Sequence, residues 1–335
     1  MRAWLLPKDS DGFDKLYLDE LPDPEPGPGE ILVAPTAWSL NYRDFAVAAG
    51  KYFGGPITEP SVPLSDGAGK VVAVGEGVKS VRVGDEVQST FFQGWLNGPP
   101  KFVPALGDGK APGMLAEQVV LPEHGVIPIA RSLDMEQAAC LPCAGVTAWN
   151  ALFEGGNPMK AGDKVLVLGT GGVSLIALKL AKAAGAEVIA TSSSDEKLEQ
   201  VKALGADHTI NYKDTPEWGA HVRDTFGGAN KIVEVGGTGT LEQSMTACAP
   251  QAEIALIGVL SQGTPPDPHA LMFTGSSIRG IFVGSARMAS DLNTFVDRHA
   301  LKFPVGKTFA FEEADKAYAF GWGPDSFGKT VISLG

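Results

Sequence analysis

The chain has 335 residues and a formal net charge of −12, from 27 Lys+Arg against 39 Asp+Glu. That balance removes the electrostatic reason to expect nucleic acid or an anionic membrane as partner. At 44% apolar and 20% charged, the composition is that of a soluble protein with ample side chain for a core, and the length predicts two domains. No apolar run reaches spanning length, and the start M-R-A-W-L-L-P-K-D meets Pro and charge too early for a signal peptide. Three cysteines, Cys140, Cys143 and Cys248, make no disulfide framework. These features predict a cytoplasmic location.

Residues 1 to 125 predict a β-rich domain. Short apolar stretches (Ile31-Leu32-Val33, Val71-Val72-Ala73-Val74, Val119-Val120-Leu121) alternate with Pro/Gly turns, and Gly67, Gly69, Gly75, Gly77 and Gly84 suggest tight barrel corners. Residues 91–113 predict a long loop carrying Phe91, Phe92, Trp95 and Phe102, either a pocket wall or a surface flap. Leu133 to Phe153 predicts helix interrupted at Pro142 and Gly145.

From Lys164 the pattern becomes alternating strand and helix. Val165 to Leu168 is an apolar run suited to a strand buried on both faces, followed by Gly169-Thr170-Gly171-Gly172 and a helical pattern from Val173. A second strand, Val188-Ile189-Ala190, follows Gly185. Glycines between strand and helix allow a tight turn, let a pyrophosphate approach the backbone and open the helix N-terminus to it. The third fingerprint position is Ser174 rather than Gly. Later strands are predicted at His208–Asn211, Lys231–Val235, Ile254–Val259 and Ile281–Val283, giving a doubly wound parallel sheet. After Ser285 only a helix (Met288–His299) and a strand (Lys329–Leu334) are expected, which return to the first domain. The predicted division is 1–125 plus 286–335 for the β-rich domain and 126–285 for the dinucleotide-binding domain inserted in it.

Eight stretches carry a family resemblance: S-L-N-Y-R-D (39–44), G-K-Y (50–52), V-P-L-S-D-G-A-G-K-V (62–71), V-G-E-G-V-K-S-V-R-V-G-D-E-V (74–87), L-P-C-A-G-V-T-A-W (141–149), V-L-G-T-G-G-V (167–173), L-G-A-D-H-T-I-N-Y (204–212) and F-G-K-T-V-I (327–332). In this order they resemble the medium-chain dehydrogenase/reductase superfamily, and within it the zinc-free quinone oxidoreductase-like branch. The resemblance implies a GroES-like catalytic domain, a Rossmann domain and homodimers pairing Rossmann sheets edge to edge.

At the end of the second strand, where related NAD enzymes carry Asp, stands Ser192. A carboxylate there would repel a 2′-phosphate, whereas hydroxyls and a nearby lysine can bind one. By resemblance Lys197 and Tyr212 grip that phosphate with Ser192 and Ser193, so NADP(H) is the expected cofactor. Gly169, Thr170, Gly171, Gly172 and Val173 are assigned to its pyrophosphate. The resemblance also places Asn41 near the nicotinamide ribose, Thr147 beside the nicotinamide or diphosphate, and Gly258, Val259, Phe282 and Val283 along the cofactor's far side. A plainer reading has Ser194 capping a helix whose first turn holds Asp195 and Glu196. Both can hold together.

Zinc enzymes of the superfamily use Cys, His-Glu and Cys where this chain has Asn41, Ser65-Asp66 and Cys143. That set cannot hold zinc in a three-ligand open site, so no metal is expected. Without a Lewis acid, hydride transfer to an activated acceptor remains feasible: a quinone or an α,β-unsaturated carbonyl. Tyr52, and second Tyr42, are the candidate proton donors; alternatively Tyr52 shapes the pocket and water supplies the proton. Arg43 and Asp44 are expected to pair and hold the Asn41 loop. Two other readings stay open, an NADP-dependent alcohol/aldehyde dehydrogenase and a non-catalytic NADPH-binding protein.

Overall fold

The structure is a computed structural model describing residues 1–101, 103–258 and 260–334. In chain order the strands are β1 (Arg2–Leu5), β2 (Tyr17–Glu20), β3 (Glu30–Ser39), β4 (Asp66–Val74), β5 (Glu86–Ser89), β6 (Val119–Pro122), β7 (Val126–Pro128), β8 (Lys164–Leu168), β9 (Glu187–Ser192), β10 (His208–Asn211), β11 (Ala229–Glu234), β12 (Cys248–Leu256), β13 (Ser277–Gly280), β14 (Val305–Ala310) and β15 (Lys329–Ser333). The α-helices are α1 (Tyr42–Ala48), α2 (Met135–Ala139), α3 (Val146–Phe153), α4 (Gly172–Ala183), α5 (Asp195–Ala203), α6 (Trp218–Phe226), α7 (Leu241–Thr246), α8 (Ala270–Thr274), α9 (Ala286–His299) and α10 (Ala314–Trp322). The chain forms two units, Met1–Val146 with Gly284–Gly335, and Thr147–Val283.

The unit from Thr147 is the predicted parallel sheet, in the order β10-β9-β8-β11-β12-β13. Strand β8 is apolar on both faces because it is central: Val165, Leu166 and Val167 are fully buried. Leu166, Ile189, Ile232 and Ile254 pack in one core with Trp218 and Val222 of α6. Each such side chain contributes about 1.5–3 kcal/mol through burial. Ser174 serves as more than a small residue, since its Oγ donates to Leu168 O at 2.6 Å and ties α4 to the end of β8. The predicted strand Ile281–Val283 lies outside the sheet; pairing with β12 ends at Gly280, and Val283 has φ 54°, which no strand allows. The predicted strand at 254–259 begins earlier, at Cys248, and ends at Leu256.

The other unit carries a seven-stranded sheet ordered β14-β15-β3-β4-β5-β7, with β6 also paired to β3. Crowding between β3 and β4 explains Gly69, where a Cβ would stand 2.1 Å from Ala34 O, whereas Gly77 and Gly84 have open space and are set by φ of +82° and +94°. Trp38, Phe311 and Tyr318 are fully buried in its core. Residues 126–146 belong to this unit rather than to the parallel sheet, because β7 pairs with β5 and α2 packs on β3 and β4. The contact boundary therefore falls at 147 and not at the expected 126. Between α2 and α3 the chain makes a π turn over Leu141–Gly145, at the interruption expected from Pro142 and Gly145. Two elements after Ser285 were not foreseen, β14 and α10. Strand β14 is an edge strand with only Phe309 buried, so it lacks apolar alternation. Phe91, Phe92 and Trp95 are buried, which makes the start of the 91–113 segment a packed wall. Phe102 and Val259 lie outside the described residues.

Candidate functional site

In the parallel-sheet unit, the predicted cofactor residues come to the carboxyl ends of the strands. Strand β8 stands where the strand order reverses, between β9 and β11, the position at which open α/β sheets bind ligands. Gly169 has φ +71°, and a Cβ on Gly169 or Gly171 would meet nothing within 4 Å. The turn is thus open to a phosphate approaching the backbone. The first intrahelical bond of α4 runs from Leu175 N to Gly171 O, so the N–H groups of Gly172, Val173 and Ser174 have no helical partner. Thr170 is buried beside them. Ser192 ends β9, Ser193 follows, and Tyr212, 41% exposed, leaves β10 with its N–H on Ser192 O at 3.0 Å. Ser194 caps α5 by accepting from Lys197 N at 3.3 Å. Asp195 Oδ1 accepts from Asn211 Nδ2 at 2.7 Å. Gly258 follows β12 with its N–H on Glu234 O, and Phe282 and Val283 follow β13. Thr147 is buried near the start of α3, and Asn150 Nδ2 of the same helix donates to Val283 O at 2.7 Å.

Glu234 escaped the sequence reading. It is fully buried, and its carboxylate accepts from Gly236 N at 2.8 Å, Gly237 N at 3.0 Å, Thr240 Oγ1 at 2.6 Å and Ser244 Oγ. Four donors on one buried carboxylate fix the loop leaving β11. A glutamate ending an apolar strand before Val-Gly-Gly was the available signal.

The β-sheet unit gathers a second set. Asn41 is the N-cap of α1, where its N–H donates to Asp44 Oδ2 at 2.7 Å. Asp44 therefore does hold the Asn41 loop, and Arg43 pairs with it as expected, through Nη1 at 3.4 Å; the same Nη1 donates to Leu106 O at 2.6 Å. The centre of the Arg43 guanidinium is 4.8 Å from the ring centroid of Tyr52 and 5.1 Å from that of Phe91. The Asp66 carboxylate accepts from Ser65 Oγ at 2.7 Å and from Cys143 N at 3.2 Å. Lys329, 3% exposed at the start of β15, donates from Nζ to Leu40 O and Asn41 Oδ1. Tyr42 stands apart, 45% exposed and stacked on Trp322 at 5.9 Å.

Burial pushes the Asp44 carboxyl up to about 6; Arg43 opposes this and Asp66 adds to it. Burial likewise raises Asp66, with Lys329 pulling it back, and raises Tyr52, with Arg43 pulling it back. Burial drives the Cys143 thiol far above its ordinary range, so it stays neutral. A carboxyl whose folded pKa is raised contributes stability below its unfolded pKa near 4 and loses it as pH climbs through about 6. Asp44→Asn should therefore gain on the wild type by about 2 kcal/mol between pH 4 and 6, read as a pH-dependent difference in Tm. A difference in Tm that stays constant over that window would contradict the assignment.

These residues do not fit a divalent metal. The Asn41 oxygen is taken by an ammonium and both Asp66 oxygens accept hydrogen bonds, which leaves Cys143 as the one usual zinc donor at these positions, whereas an open zinc site takes three protein ligands. Among the described residues no three His, Cys, Asp or Glu side chains cluster as ligands. Nor is any helix among them long and apolar enough to cross a membrane.

Known proteins fit this arrangement. The family model described as alcohol dehydrogenase GroES-like domain matches residues 27–131, and that described as zinc-binding dehydrogenase matches residues 172–299. A zinc-type alcohol dehydrogenase-like protein of Schizosaccharomyces pombe is 44% identical over 335 residues, covering 96% of each chain. An NADPH-dependent alkenal/one oxidoreductase of Arabidopsis thaliana chloroplasts is 36% identical over 243 residues, 70% of this chain and 60% of that one. The solved structure of an NAD-dependent alcohol dehydrogenase superposes with a TM-score of 0.90 at 35% identity, covering 100% of both chains. With its GroES-like sheet, its Rossmann sheet and these relatives, the chain belongs to the medium-chain dehydrogenase/reductase superfamily of oxidoreductases.

Proposed function

We propose that the protein is an NADPH-dependent, metal-independent reductase of quinones or α,β-unsaturated carbonyls, of the quinone oxidoreductase-like branch. The observation that carries this reading is the buried Lys329–Asn41 pair standing among the residues that replace zinc ligands. Carbonyl activation then falls to protein donors, and acceptors already activated by conjugation need the least of it. The open glycine turn and the helix N-terminus fit a pyrophosphate. Ser192, Ser193, Lys197 and Tyr212 are assigned to the 2′-phosphate. The hydrogen bond of Asp195 to Asn211 supports this, because it holds the nearest carboxylate to another partner. Bound there, NADPH supplies a hydride. Asn41 and Thr147 are assigned to the nicotinamide end and Gly258, Phe282 and Val283 to its far side, and Tyr52 is the proton donor ahead of the exposed Tyr42. We also assign the protein to the cytoplasm and to a homodimer through the sheet edge at β13.

An alcohol dehydrogenase reading is favoured by the 35% identical structure of that activity. Parallel assays of NADPH oxidation with 9,10-phenanthrenequinone, trans-2-hexenal and hexanal separate the two. Turnover of the first two with little of the saturated aldehyde is expected. Preferential reduction of hexanal would favour the dehydrogenase, and no turnover of any acceptor would return the non-catalytic reading.

A further inference from the structure

We propose that the Nε–Nη2 edge of Arg43, together with the Tyr52 hydroxyl, forms the binding site for the substrate's carbonyl oxygen and for the negative charge it acquires on reduction. This deepens the proposed function and rests on it.

The Arg43 side chain is 7% exposed, yet only one of its three nitrogens is satisfied: Nη1, on Leu106 O at 2.6 Å and, weakly, on Asp44. Nε, Nη2 and Tyr52 Oη are buried with no hydrogen-bond partner at ordinary length; the guanidinium and the Tyr52 hydroxyl share only a weak hydrogen bond with each other. A guanidinium kept for structure alone would satisfy its fork, since unpaired buried donors on a charged group are costly. Asp44 meets the guanidinium only at Nη1, at 3.4 Å, and turns its other oxygen to the N–H of Asn41. Contacts of the guanidinium with the rings of Tyr52 and Phe91 help to hold it in place. What remains is a held, parallel pair of N–H groups with an O–H beside them, the geometry that suits an oxygen anion.

The chemistry balances around that oxygen. The β-carbon of an enone gains the hydride with its electron pair, forming a C–H bond, with NADPH as the two-electron reductant. The C=C π pair moves to the bond between the α-carbon and the carbonyl carbon, and the C=O π pair moves onto oxygen as an enolate. Arg43 stabilises that charge. Tyr52 Oη then gives its proton to the enolate oxygen, forming an enol O–H bond and leaving a tyrosinate beside the guanidinium that water reprotonates. The enol tautomerises in water, its C=C pair taking a proton at the α-carbon as the O–H proton is lost, to the saturated carbonyl product. A quinone spreads the same charge over a ring and depends less on the site.

Single-turnover reduction of trans-2-hexenal and of 9,10-phenanthrenequinone, at saturating NADPH, tests this in Arg43→Ala, Arg43→Lys and Tyr52→Phe. Hexenal reduction should slow about 100-fold or more in Arg43→Ala and the quinone about tenfold, as for loss of an oxyanion donor. Added guanidinium, but not urea, should restore hexenal turnover, and NADPH affinity should stay within about threefold because no uniform binding is lost. Arg43→Lys keeps the buried charge and so guards against misfolding; it should be about tenfold slow on hexenal for lack of the fork. Tyr52→Phe should lie between. Hexenal rates within about threefold of wild type in Arg43→Ala or Arg43→Lys, or equal rescue by urea, would overturn the site. A wild-type protein that binds NADPH but reduces neither acceptor would sink the proposed function, and the site with it.

Discussion

Lys329→Met should cost the protein about 3–5 kcal/mol of stability and about 100-fold in enone turnover. The ammonium is buried, donates to Leu40 O and Asn41 Oδ1, and lowers the pKa of both Asp44 and Asp66. Methionine matches its length but not its charge. Two carboxyls would then face only Arg43, the Asn41 oxygen would lose its donor, and one carboxyl would take up a proton to escape the repulsion. The stability loss is therefore largest at high pH, where that proton is least available, and smaller near pH 5. Urea denaturation at two pH values measures both. An unchanged denaturation midpoint, together with unchanged kcat/KM, would show that the lysine has no such role.

The second large effect concerns the cofactor. Ser192→Asp should reverse the preference for NADPH, changing the ratio of kcat/KM for NADPH over NADH by several hundred-fold. A carboxylate about 4 Å from a phosphate at the surface costs about 4 kcal/mol, and the same group can accept from a ribose 2′-hydroxyl in NADH. Ser192 is only 4% exposed, so a thermal melt accompanies the assay; the N–H of Ser194, which donates to Ser192 Oγ at 3.4 Å, is available to a carboxylate oxygen. Stopped assays with each cofactor at subsaturating concentration give the ratio. A ratio that does not move would remove Ser192 from the phosphate site.

The parts of this molecule that could be read from sequence are those set by local rules. Four buried apolar residues and a positive-φ glycine announce β8 and its turn, whatever packs around them. Ser194 announces the cap of α5. What could not be read depends on register between distant strands. Lys329 looks like an ordinary lysine before an apolar strand; only the antiparallel pairing of β15 with β3, Val331 opposite Ser39, sets it beside Asn41. Arg43 does pair with Asp44, as their adjacency suggests, at 3.4 Å; what adjacency could not show is that Asp44 also turns back to cap the helix and engages only one nitrogen of the guanidinium. Strand β14 was missed because an edge strand with one inward residue has no periodicity to detect. The 126–146 boundary was missed because helix composition cannot say which sheet the helix covers.

The account depends on hydride reduction proceeding on protein donors with a phosphorylated nicotinamide as the reductant. The most direct test is reduction of trans-2-hexenal by NADPH with purified protein, before and after exhaustive treatment with 1,10-phenanthroline, with bound zinc measured alongside. Full activity in the chelated, zinc-free protein is the expected result. Stoichiometric zinc, with turnover lost on chelation and restored by adding the metal, would contradict it.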